Sequence, residues 1–191
     1  MATRQLPSFT PEQYLEFERH SDTRNEYISG EIFPVESGTP AHSLIGANTI
    51  VAIATRLSTD RCKVYSSSLR VCVDRKSLYL YPDVTVVCGK LEYTDERKDT
   101  ITNPNIIVEV LSPTTLDYNL GPKARMYWKI ASLTDLLFID QQKVWIEYWF
   151  RSPGGKWDNR EFESLNDVVH IESTGSGFPV AEIYAGIEFE A

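Results

Sequence analysis

Apolar positions along the chain change their period several times, and each change marks an element. Thr10-Pro11-Glu12-Gln13 has the form of a capping box with proline at the first helical position, and Tyr14, Phe17 and Glu18 follow at helical spacing, which predicts a helix over 11–19. Asn25-Glu26-Tyr27-Ile28 and Glu31-Ile32-Phe33 flank Ser29-Gly30, the two-residue turn of a hairpin. A longer helix is predicted from Thr39-Pro40, with Leu44, Ala47, Val51 and Ala54, spaced by threes and fours, expected to form its buried stripe. Strand patterns follow at Lys63–Val73, Tyr79–Leu80, Val84–Cys88 and Ile106–Leu111. A further helix is expected from about Pro122 to Ile130, with Met126 and Ile130 on one face. Leu136–Ile139 and Val144–Phe150 read as a strand pair across Asp140-Gln141-Gln142-Lys143, and the tail carries short strands around Glu161–Ser164 and Val168–Ile171. The mixture of helical and strand periods places the chain in the α/β class.

Length fits one domain over residues 1–191: a chain of this size with 42% hydrophobic residues buries roughly 70% of its unfolded surface in one core. Met1-Ala2-Thr3-Arg4-Gln5-Leu6-Pro7 lacks the apolar stretch of a signal peptide, and no window approaches the roughly 18 apolar residues of a membrane span, so a soluble, cytoplasmic protein with no membrane partner is expected. Cys62, Cys72 and Cys88 lie among strand-like residues without Cys-x-x-Cys spacing, the pattern of small buried hydrophobes in a reducing compartment rather than of disulfides or a zinc site. The formal net charge of −8 opposes general attraction to a polyanion. Nucleic acid is therefore a partner only if basic residues gather locally, and Arg61, Lys63, Arg70, Arg75 and Lys76 are the group that would do so. Trp128, Trp145, Trp149 and Trp157 suit base stacking by type, but their alternation and late position favour core and homodimer contacts.

The candidate chemistry lies between Tyr81 and Lys123. Ile106-Ile107-Val108-Glu109-Val110-Leu111 carries a carboxylate through a run that reads as buried on both faces, where an unpaired charge costs several kcal/mol or more. A metal ion, a cationic partner or a raised pKa accounts for such a glutamate, and Tyr81-Pro82-Asp83-Val84 upstream and Lys123 downstream supply a second acid and a cation. The order acid, acid, lysine suggests a metal-dependent phosphodiesterase site. Blander readings stand beside each residue: a turn carboxylate for Asp83, a buried pair of Glu109 with Lys123 or Arg125, and a solvated helix lysine for Lys123. His42 near a helix start suits either capping or a phosphate contact.

Ile28-Ser29-Gly30-Glu31-Ile32, Gly38-Thr39-Pro40-Ala41-His42 with Asn48, Ser68-Leu69-Arg70-Val71, Tyr81-Pro82-Asp83-Val84, Val108-Glu109-Val110-Leu111-Ser112-Pro113-Thr114-Thr115, Lys123 and Tyr127, taken in order, closely resemble the Uma-type (Uma two) endonucleases, a prokaryotic branch of the PD-(D/E)XK, restriction-endonuclease-like superfamily. The resemblance runs from about Pro11 to Phe189. It implies a restriction-endonuclease-like mixed central β-sheet flanked by helices, with an N-terminal hairpin and helix and a C-terminal β extension. It also implies a metal-dependent endonuclease that hydrolyses DNA phosphodiester bonds with Mg²⁺, for which Mn²⁺ substitutes. Asp83 and Glu109 are then the metal ligands and Lys123 the residue acting on the water or transition state, on the helix after the strand rather than at Leu111, where the commoner superfamily pattern has its lysine. Glu31 would reach the metal directly or through water, and His42, Arg70 and Arg125 are candidate DNA contacts. One departure is Asn119, where the family often has an aspartate, with Asp117 displaced by two. A catalytically weak nuclease-fold binding or interaction module, and a metallohydrolase of small phosphoesters, are the other classes compatible with the acidic balance.

Overall fold

In the computed structural model, which describes residues 8–57, 61–112 and 122–189, two β-sheets face one another across a shared interior. The chain opens with α1 (Pro11–His20), the hairpin β1 (Asn25–Ile28) and β2 (Glu31–Pro34), and α2 (Pro40–Ala54). There follow β3 (Cys62–Ser66), β4 (Arg70–Asp74), β5 (Leu78–Leu80), β6 (Val84–Cys88), β7 (Thr100–Ile101) and β8 (Ile106–Leu111). After the short helix α3 (Ala124–Tyr127) come β9 (Asp135–Asp140), β10 (Ile146–Arg151), β11 (Trp157–Phe162), β12 (Val168–Ile171), β13 (Ser176–Pro179) and the single turn α4 (Val180–Ile183).

The six-stranded sheet runs β11-β10-β9-β8-β6-β3, antiparallel except for the parallel pair β8–β9. The five-stranded sheet runs β2-β1-β5-β4-β7, and β12 pairs with β13 as a separate ribbon. Strand alternation divides the central sheet between two cores. Val84, Val86, Ile106, Val108, Val110, Leu137 and Ile139 face α2, α4 and the β12–β13 ribbon, whereas Val87, Ile107, Leu111, Leu136 and Phe138 face the second sheet and α3. Glu109 falls in phase with Ile107 and Leu111, so it points into the space between the sheets.

Local chemistry explains the element starts. Thr10 accepts from Gln13 N–H at 3.2 Å while the Gln13 side chain accepts from Thr10 N–H at 2.8 Å, the reciprocal box expected from sequence. Ser29 and Gly30 take φ of 51° and 98°, both left-handed, as a tight hairpin requires; a Cβ on Gly30 would also stand 2.2 Å from Ser8 Oγ.

Four expectations change. The run Lys63–Val73 is two strands, because Ser66 to Leu69 turn the chain and send β3 to one sheet and β4 to the other. The buried stripe of α2 is Ile45, Thr49, Ala52 and Ile53; Leu44 and Val51 instead lie 39% and 61% exposed, since an uncharged helix that is apolar on every side offers more than one inward phase. The helix expected over 122–130 keeps regular geometry only over Ala124–Tyr127. Cys62 and Cys88 face each other across β3–β6 and are joined as a disulfide, leaving Cys72 buried and free, which removes the thiol argument for a reducing compartment. Among the described residues no helix is long and apolar enough to cross a membrane.

Candidate active site

Asp83, Glu109, Lys123 and Glu26, a hairpin residue not among the sequence candidates for the site, meet at the mouth between the sheets. Pro82 ends the β5–β6 turn, and Asp83 then projects across to β8, where its Oδ2 accepts the Val110 N–H at 2.7 Å. This contact fixes the carboxylate against the strand that carries Glu109. His42, in the first turn of α2, brings Nε2 to 3.5 Å from the same oxygen. Lys123, immediately before α3, is buried, with Nζ 2.9 Å from Glu109 Oε1 and 3.3 Å from Glu26 Oε1. Tyr127, one turn later on α3, donates its hydroxyl to Glu109 Oε1. Glu26 comes from β1 in the opposing sheet, and its Oε1 accepts the Tyr81 N–H at 3.1 Å. The site is therefore tied to the Tyr81-Pro82-Asp83 segment from both sides.

The electrostatics are unbalanced. Three carboxylates surround one ammonium, a formal charge of −2 when all are ionised. Burial alone would depress Lys123, but Glu109 and Glu26 offset it and hold the ammonium above its ordinary range. Burial, with Asp83 and Glu26 as like charges, pushes the Glu109 carboxyl up to about 7 even though Lys123 and the Tyr127 hydroxyl favour its ionised form. Asp83 is raised as well, chiefly by burial, against the pull of His42 and the Val110 N–H. Protons or a divalent cation relieve such a cluster. The contacts found among the described residues fall on Asp83 Oδ2 and Glu109 Oε1. No group of three or more metal-binding side chains is preassembled there among the described residues. The donor set suits an ion such as Mg²⁺, which retains several waters and takes one or two carboxylates.

The remaining candidates separate. Glu31 is exposed on the edge strand β2, in register with Ile28, while the ion pairs of Lys123 run to Glu26 and Glu109; the glutamate brought to the site is the one on the inner strand β1. Arg70 is not on a basic surface. It is 3% exposed, with Nε on Thr100 Oγ1 at 2.8 Å, Nη1 on Tyr81 OH at 3.3 Å and Nη2 against Asp99 Oδ1 at 3.0 Å, so its donors are spent inside the protein. Tyr81 in turn donates to Glu18 at 2.8 Å, and Glu18 accepts from Asn25, which makes this network the support behind Glu26 and Asp83. Arg125 is exposed on α3 beside Lys123. Asn119 and Asp117 lie outside the described residues. Glu26 escaped notice because both arms of the hairpin carry a glutamate; pairing of β1 with β5 makes its strand internal, and that pairing is 52 residues distant, at Tyr27↔Tyr79.

The profile of a family named Uma2 and described as "Putative restriction endonuclease" matches residues 11–181. The chain belongs to the Uma2 family. This Uma2 chain is 31% identical over 186 residues to an uncharacterized Synechocystis protein, slr1290, covering 96% of the chain and 95% of that protein. A second uncharacterized Synechocystis protein, sll1609, is 27% identical over 162 residues, covering 85% of the chain and 92% of that protein. Among solved structures, a "putative nuclease belonging to DUF820" from Anabaena variabilis superposes with a TM-score of 0.77 over 94% of this chain and 99% of that one, at 15% identity, a likeness of fold. The Uma2 assignment and the shared mixed-sheet fold support a nuclease-like function.

Proposed function

We propose that the chain is a divalent-metal-dependent endonuclease that hydrolyses DNA phosphodiester bonds, with Mg²⁺ as its ion and Mn²⁺ as a substitute. The observation that carries this reading is the convergence of three carboxyl groups, Asp83, Glu109 and Glu26, around the single ammonium of Lys123. When bound, the ion supplies Lewis-acid polarisation of a phosphoryl oxygen and a lowered pKa for a coordinated water. Asp83 and Glu109 would hold it. The Val110 N–H and His42 keep the Asp83 carboxylate oriented; Tyr127 does the same for Glu109. Lys123, kept protonated by its two carboxylates, sets its ammonium against the charge that develops on the phosphate and orients the attacking water. Glu26 positions that ammonium and the Tyr81 backbone.

The test is a supercoiled-plasmid assay with purified protein in Mg²⁺, Mn²⁺, Ca²⁺ or chelator. Nicking is expected with the first two ions, with none in chelator, and Lys123→Ala should reduce the rate roughly 100-fold, as loss of a group acting on the transition state does. Asp83→Asn should weaken metal binding and with it the nicking that Mg²⁺ or Mn²⁺ supports. The 2.9 Å Lys123–Glu109 pair also suits a structural salt bridge in an inert module, and inactivity with every divalent ion would establish that reading instead.

A further inference from the structure

We propose that a cleft beside the candidate site, about 570 Å³ in volume, is a subsite for one nucleobase of the substrate strand, next to the scissile phosphate. The proposal rests on the phosphodiesterase reading for its neighbour and on separate chemistry for its occupant. The cleft opens where α2 begins and β9 ends, and its polar rim is Thr39, Gln141 and Gln142. Both sides connect to the site. Thr39 caps α2 by accepting the His42 N–H at 3.1 Å, and His42 reaches Asp83. Gln141 N–H donates to the carbonyl of Leu111, which stands two residues, about 7 Å of strand, beyond Glu109. The cleft thus lies at the C-terminal ends of the parallel pair β8–β9, the end of such strands where open α/β sheets bind ligands.

The lining specifies the ligand. Gln141 is only 6% exposed, and its Oε1 accepts from the Thr39 hydroxyl at 2.5 Å, which fixes the orientation of the amide in the cleft lining. Its Nε2 carries the N–H donors that this amide offers a ligand. Opposite the amides stand Leu44 and Phe189, 39% and 38% exposed, an apolar wall with an aromatic ring of the kind on which a base stacks. Among the described residues that line the cleft none is Lys, Arg or His and the one charge is Glu188, so the lining disfavours phosphate. A neutral planar heterocycle with an acceptor for Gln141 and an amino group for Glu188 meets every feature. Adenine satisfies it, while thymine lacks the amino group.

The probes are adenosine, thymidine and inorganic phosphate, titrated into metal-free protein in chelator and followed by heteronuclear NMR at the Gln141 amide and Leu44 methyl groups. Adenosine should perturb these signals with a Kd on the order of 1 mM, thymidine several-fold more weakly, and phosphate not at all. Phe189→Ala, a surface change that leaves the fold intact, should weaken adenosine roughly fivefold or more by loss of stacking. Gln141→Leu should weaken it by a similar factor by loss of the hydrogen bond. Silent signals at about 20 mM adenosine, equal affinity in wild type and both variants, or competition by phosphate would overturn the subsite. The plasmid assay separates this inference from the previous one: cleavage without adenosine binding removes the subsite alone, and adenosine binding without cleavage removes the nuclease reading alone.

Discussion

At Glu109 the chain places a carboxyl where burial and two further acids oppose ionisation, and a pH profile follows from that. Its folded value of about 7 exceeds the ordinary 4.5. A group raised on folding contributes stability that is present in full below the unfolded value and is lost as pH rises through the folded one. In chelator the melting temperature should therefore fall between about pH 4.5 and pH 7, with a slope of at most about one proton, and Glu109→Gln should flatten it. Calorimetry over that range decides the matter; a flat wild-type profile would show that Lys123 fully compensates the charge. Added Mn²⁺ should raise stability most at the high end, where the ligands are ionised. Glu109 was legible in the sequence because it is an acid inside an apolar run, whereas Asp83 and Lys123, each ordinary taken singly, were legible through their order around it and the family resemblance. Glu26 violates nothing locally. The two hairpin glutamates should separate in function, Glu26→Gln lowering plasmid cleavage at least about tenfold and Glu31→Gln changing it less than about twofold, since only Glu26 contacts the Lys123 ammonium. Equal effects would return Glu31 to the site.

Elements show the same limit. The capping box of α1 and the turn between β1 and β2 are written in three or four adjacent residues, and the structure forms both. The phase of α2 is not, because Leu44-Ile45 and Val51-Ala52-Ile53 put an apolar side chain on either face and only the packing of the sheet chooses between them. The division of residues 63–73 between two sheets is likewise set by partners, β6 on one side and β5 on the other. Cysteine spacing carried no sign that Cys62 and Cys88 stand opposite, since their register depends on how β3 pairs with β6. Bridging positions 26 apart restricts the unfolded chain by about 3–4 kcal/mol. Reductant should accordingly lower the melting temperature by roughly 10 °C, and Cys88→Ser should match the reduced wild type. Cys72, buried and with its thiol pushed up to about 11 by that burial, should stay unreactive toward thiol reagents in the folded state. An unchanged melting curve in reductant would mean that the edge strand β3 is held by its hydrogen bonds alone.

For the whole molecule the tension is charge: an acidic protein, formally −8, for which the proposed substrate is a polyanion. The structure buries and pairs Arg70 but leaves Arg61, Lys63, Arg75 and Lys76 of the candidate basic group exposed, while other cations are held in ion pairs. Arg19 pairs with Asp95 and Asp99, Arg70 with Asp99, Arg56 with Glu182, Arg160 with Glu172, and Lys123 with the site glutamates. On the proposed function, with a net charge of −8, the substrate is expected to be held mainly through the bound ion and short-range contacts. Salt dependence measures the difference, since each phosphate neutralised by a side chain adds close to one unit to the slope of log affinity against log salt. With Ca²⁺ in place of Mg²⁺ to hold the ion without turnover, DNA affinity should fall with a slope no steeper than about −3, against −6 to −9 for proteins making many phosphate contacts. Chelator should remove most of the binding at any salt concentration, because the divalent ion is what reverses the sign of the site. Fluorescence anisotropy of a labelled duplex in a potassium chloride series tests both points. A slope steeper than about −6, or binding that survives chelator, would mean that exposed basic side chains bind the backbone independently of Asp83 and Glu109.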